Sequence, residues 1–146
     1  MIPIKQMLGD KKCLGCIAAM AADTNLKEFE DFLMEANLIY PIISISPPWT
    51  SLELNAYLLK FGLKIGQTFN LRNKNFSLDA DNEIIQCCLT IRNQPAAVTV
   101  KSENYPNTLH SIFWDGYQIY DPNPKVDNGR PLSDYRITEW EPITPI

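Results

Sequence analysis

Leu109-His110-Ser111-Ile112-Phe113-Trp114-Asp115-Gly116-Tyr117-Gln118-Ile119-Tyr120-Asp121-Pro122 is the stretch whose reading decides the fold. Two runs rich in aromatic and β-branched residues, 111–114 and 117–120, flank Asp115-Gly116, a dipeptide favoured in two-residue type I′ hairpin turns. With that turn, Trp114 pairs with Tyr117, and the ladder counted back from it sets His110 directly opposite Asp121. Cross-strand partners share a face, with Cβ atoms about 4.5–5.5 Å apart. That suits a carboxylate accepting a hydrogen bond from one imidazole nitrogen, which fixes the tautomer and leaves the other nitrogen for chemistry. A slip of one residue would send the two side chains to opposite faces. A purely structural His–Asp pair on a sheet would give the same pattern.

Outward from the hairpin, 96–100 and 135–140 read as further strands. The segment 84–91 reads as a strand or a short helix. Upstream, three helical patterns precede all of this. The first runs from about 13 to 22 and is apolar almost all round, so it should be buried, with Asp10 as a candidate cap. The second runs from about 25 to 36, capped by Thr24 or Asn25, with Leu26, Phe29, Phe32 and Leu33 on one face. The third opens at Thr50 or Ser51, with Glu53 in its first turn and Gly62 where a left-handed residue is wanted after the helix. Pro47-Pro48 and the proline-bearing tail 141–146 read as irregular. Helices first and strands second indicate an α+β fold, with N-terminal helices packed on a C-terminal antiparallel sheet.

The chain of 146 residues fits one domain, 1–146, without repeat or linker. A net charge of −4, with no basic run, argues against nucleic-acid binding. No apolar stretch approaches the roughly 20 residues that span a bilayer, and the N-terminus lacks the regions of a secretory signal. A cytoplasmic protein with no membrane partner is expected. The four cysteines, at 13, 16, 87 and 88, do not look like a disulfide framework, so reduced thiols are expected.

Cys13 falls at the start of the buried helix, where the positive end of the helix dipole favours thiolate and Lys11 and Lys12 push the same way. Most cysteines are simply small apolar residues, and Cys16, Cys87 and Cys88 read as core or strand residues. Gln6 could turn its amide towards the site and, with the Cys13 N–H, donate to the oxyanion of a tetrahedral intermediate. Trp49, Trp114 and Tyr117 could line a groove or belong to the core. His110 is the only histidine, so imidazole chemistry has one address.

These residues together resemble the papain-like cysteine peptidase superfamily, in particular the leader-cleaving peptidase domains of bacteriocin exporters and small papain-like proteins of phage and bacterial genomes. One matching block is Lys5-Gln6 through Cys13-Leu14-Gly15-Cys16-Ile17-Ala18-Ala19-Met20. The other is the hairpin stretch quoted above, a histidine strand, a turn and a return strand ending in Asp-Pro. The glutamine-to-cysteine spacing is one residue longer than usual, and Leu14 stands where glycine or tryptophan is common. Cys16 can also be aligned as the nucleophile. The resemblance implies a papain-like fold and a Cys13–His110–Asp121 triad with Gln6 as oxyanion donor.

The expected function is therefore hydrolysis of peptide, isopeptide or related amide bonds in a protein or peptide substrate, with no cofactor. Deamidation or acyl transfer would use the same residues. Two rivals stand beside it. One is a catalytically silent papain-like binding module, such as a phage accessory protein that sequesters a host factor. The other is a metal or redox role for Cys13-x-x-Cys16, with further ligands from Cys87, Cys88 or His110.

Overall fold

Asn25 and Thr50 each open a helix with the side-chain cap their type provides. The Asn25 carboxamide oxygen accepts the Glu28 N–H at 2.9 Å. Thr50 and Glu53 form a reciprocal capping box in which the buried Glu53 carboxylate accepts the Thr50 N–H at 3.0 Å. The computed structural model describes residues 3–6, 11–67, 69–70, 93–102 and 108–146. Within these, the helices are α1 (Cys13–Ala21), α2 (Leu26–Ile39) and α3 (Ser51–Leu59). The strands are β1 (Leu63–Ile65), β2 (Phe69–Asn70), β3 (Ala96–Lys101), β4 (Leu109–Trp114), β5 (Ile119–Tyr120) and β6 (Ile137–Pro145). The fold is α+β, with helices before strands as expected. None of the described helices is long and apolar enough to cross a membrane.

Helix α1 begins at Cys13 as expected, but Lys12 holds its N-cap position without a side-chain cap, and Asp10 lies outside the described residues. Helix α2 runs three residues past the expected end and stops where Pro41 disfavours helical backbone at Tyr40. After α3, Gly62 takes the left-handed conformation at φ +72°. The segment 84–91 lies outside the described residues.

Every pairing in the sheet is antiparallel, in the order β1-β6-β3-β4-β5, with β2 also on β6. The tail expected to be irregular is instead the second half of β6. Prolines fit there because each lacks only a donor. The Pro142 carbonyl still accepts the Gly66 N–H at 2.7 Å, and Ile143 donates to the Pro95 carbonyl at 2.9 Å. The strand itself begins at Ile137 rather than near Tyr135, which follows a single turn of 3₁₀ helix at Leu132–Asp134. Strands β1 and β2 were not legible from period or composition, being two or three residues long.

Both faces of the sheet are covered. The helices close one face through Ile17, Phe29, Leu33, Leu54, Tyr57 and Leu58, against Ala97, Phe113 and Ile143. The alternate residues Ala96, Val98, Val100, Ile112 and Trp114 meet Leu132 and Tyr135 from the 121–136 connection on the other. Burial on both faces is why β3 reads as a continuous apolar run rather than an alternating one. Within the helical layer, the Phe29 ring meets Trp49 and Tyr57 edge-on, with centroids 5.0 and 5.1 Å away.

The hairpin is wider than the Asp-Gly dipeptide suggests. Trp114 pairs with Ile119 and Phe113 with Tyr120, so four residues, 115–118, make the turn and Tyr117 is not a ladder partner. Asp115 is the physical reason. Its Oδ1 accepts the N–H groups of both Tyr117 and Gln118 at 2.8 Å, an Asx-type turn that closes the loop with a side chain. The register is thereby displaced by two residues. Because strand side chains alternate with a period of two, the displacement keeps His110 and Asp121 on a common face.

Candidate functional site

Three segments converge on the end of β4 where β5 has run out. Helix α1 packs against β4 and brings Cys13, its first residue, half-buried, to Ser111 and His110. The thiol meets the His110 ring, the Ser111 main-chain N–H and the Ser111 hydroxyl.

His110 Nε2 lies 2.6 Å from Asp121 Oδ1, with the histidine side chain 15% exposed and the aspartate 2%. That leaves Nδ1 as the ring nitrogen for the thiol. Asp121 is held on every side. Oδ1 also accepts the Asn123 N–H at 2.9 Å, and Oδ2 accepts the Tyr135 hydroxyl at 2.8 Å. Its main-chain carbonyl accepts from Lys5 Nζ at 2.7 Å.

The electrostatics follow from this chain of contacts. Burial pushes the Asp121 carboxyl up, but the hydrogen bond and charge of His110, with Asn123 and Tyr135, outweigh it and hold the group below the usual carboxylate range. Burial pushes His110 down, but Asp121 and Cys13 outweigh that and raise it to about 9. Burial pushes the Cys13 thiol up, while His110 and Ser111 pull it below its ordinary value. All three shifts favour the charged forms: thiolate, imidazolium and carboxylate.

The Lys12 ammonium is engaged with Glu30 at 3.3 Å on α2, and the groups that lower the thiol are His110 and Ser111.

No protein-family model matches the chain, and no curated protein or solved structure matches it either. Function is therefore read from the chain's own geometry.

Gln6 reaches this corner through its main chain. Its N–H donates to the Pro122 carbonyl at 2.9 Å, while Lys5 Nζ also bonds the Val126 carbonyl and Asn128 Oδ1. The segment 3–6 is thus laid along 121–128. The Gln6 Oε1 is buried, with no hydrogen-bond partner among the described residues.

Cys16, the other alignable nucleophile, is 0% exposed in the helical core one turn behind Cys13. Cys87 and Cys88 lie outside the described residues. Of the aromatic groove candidates, Trp49 and Trp114 are core residues, and Tyr117 stands exposed at the hairpin tip. Among the described residues, no three His, Cys, Asp or Glu side chains are grouped to hold a metal ion.

Sequence reasoning missed Ser111, Asn123, Tyr135 and Lys5. Ser111 had a signal in its adjacency to His110, although side chains of neighbouring strand residues point to opposite faces. Asn123, two residues past Asp121, is the ordinary Asx-turn pattern. Tyr135 and Lys5 join through tertiary contacts alone.

Proposed function

We propose that this protein is a papain-like cysteine hydrolase of peptide, isopeptide or related amide bonds, using Cys13, His110 and Asp121 as a catalytic triad. The observation that carries the reading is His110, bridging a thiol at the first turn of a buried helix and a buried carboxylate. In this reading the Cys13 thiolate attacks the acyl carbon, and the His110 imidazolium then protonates the leaving amine. The neutral ring next takes a proton from a water that attacks the acyl carbon, and collapse of that adduct releases the carboxylic acid and restores the thiolate–imidazolium pair. Asp121 keeps the ring in the productive tautomer. The Cys13 N–H, in the first turn of α1 where N–H groups have no intrahelical partner, would bind the oxyanion, with the Gln6 amide as second donor. Reduced thiols are the ordinary state in the cytoplasm, the compartment this reading favours.

The test is hydrolysis of fluorogenic peptide and isopeptide libraries by the purified protein, with products identified by mass. Amine release that disappears in Cys13→Ala supports the reading. Ammonia release from glutamine, or transfer of the acyl group to an added amine, would redirect it to deamidation or acyl transfer by the same triad. A wild-type Cys13 no more reactive than an ordinary thiol would leave the binding-module reading in its place.

A further inference from the structure

We propose that Tyr135 is a positioning residue for this site, tuning how firmly His110 holds its proton by hydrogen-bonding the far oxygen of Asp121. The inference rests on the hydrolase reading for its catalytic meaning, though its physical content is separable. Asp121 has two oxygens with unequal duties. Oδ1 is doubly engaged, by His110 Nε2 at 2.6 Å and the Asn123 N–H at 2.9 Å. Oδ2 is engaged by the Tyr135 hydroxyl at 2.8 Å. The tyrosine is itself buried, with its ring in the second core beside Ile112, Leu132 and Ile137, and the Arg130 guanidinium 4.8 Å over its face. The hydroxyl donates to the carboxylate, and a phenylalanine would fill the same ring space without that donor.

The sign of the effect follows from what surrounds the ring. His110 faces Cys13 from α1 and Asp121 from the segment after β5. Lys5 adds a positive charge from the N-terminal segment, with Asp127 near it, and Arg130 adds another behind Tyr135. A phenol donating to Oδ2 disperses the carboxylate's charge. Without it, Oδ2 is left in a site 2% exposed with one donor fewer, the carboxylate becomes more basic, and its hydrogen bond to Nε2 tightens. Two donors on Oδ1 keep the carboxylate in place while this happens. The ring then holds its proton more strongly and yields it less readily to a leaving amine.

His110 is the only histidine, so its ring resonances can be followed by NMR titration without ambiguity. Tyr135→Phe is expected to move the His110 midpoint upward by about half a unit to one unit. On a substrate found by the library screen, kcat should fall about threefold to tenfold with KM unchanged. An unmoved or lowered midpoint in folded Tyr135→Phe overturns the proposal. Should that variant fail to fold, the wild-type Tyr135 hydroxyl proton decides. A slowly exchanging resonance that shifts as His110 titrates supports the proposal, and one indifferent to that titration overturns it. If wild-type Cys13 proves unreactive to alkylation, the hydrolase reading fails, while the effect of Tyr135 on the ring remains measurable.

Discussion

The imidazole of His110 lies 2.6 Å from the carboxylate of Asp121, although β5 has ended at Tyr120 and the two residues are not ladder partners. Continued in register, Asp121 would face Ile112, so the carboxylate reaches the ring diagonally along a shared face. The chain turns after Tyr120, and Lys5, Asn123 and Tyr135 fix the turn around the aspartate. The site is therefore built as much by the 121–136 connection as by the hairpin.

Asp121→Asn keeps the shape of the side chain and removes its charge. His110 should then fall from about 9 towards its ordinary value, and the thiolate should lose its counter-ion. Hydrolysis at neutral pH is expected to drop about 10²- to 10⁴-fold, measured as kcat/KM on a peptide substrate. A variant as active as wild type would remove Asp121 from the mechanism.

Cys13→Ala and Cys16→Ala should behave as opposites. The first abolishes activity and leaves thermal stability within about 0.5 kcal/mol, as at a partly exposed site. The second retains activity and loses about 1 kcal/mol, because it deletes a fully buried sulfur from the helical core. Denaturant titration with a parallel activity assay separates the two.

The pH profile of kcat/KM should be a bell. On the acid side the thiolate is protonated, and since the thiol is lowered, activity persists below the ordinary thiol range near 8.5. On the alkaline side the imidazolium loses its proton near 9 and the leaving amine goes unprotonated, so activity falls again. A profile that only rises towards high pH would mean an unpaired thiol.

Gly15→Ala tests the packing behind Cys13. A Cβ there would overlap Trp49 Cζ3 and come within 3.0 Å of Leu26 and Phe29 side-chain carbons. Overpacking of this kind costs about 1–3 kcal/mol, read as a lowered denaturant midpoint. A neutral result would show that the Trp49 ring can swing away.

How much of this the sequence carries depends on the range of the interaction. Helix starts at Cys13, Asn25 and Thr50 are local, set by apolar spacing and capping chemistry, and were legible. The end of α2 was misjudged although Pro41 marks it. The β6 tail was misjudged because prolines discourage strand assignment, whereas acceptor-only positions in the ladder tolerate them. The turn at Asp115 shows the same limit more finely. Asp-Gly signals a tight turn, but the aspartate side chain capped two N–H groups and widened it. The His110–Asp121 partnership was readable only because a displacement of two preserves the face. Contacts from Lys5 and Tyr135 link residues more than ten positions away from Asp121 and leave no local pattern.

The most direct measurement is the rate of Cys13 alkylation against pH, with the labelled residue identified by peptide mass. The account predicts fast labelling confined to Cys13, with an inflection below the ordinary thiol value of about 8.5, and its loss in His110→Ala. An inflection at or above that value, or labelling spread over the other cysteines, would contradict it.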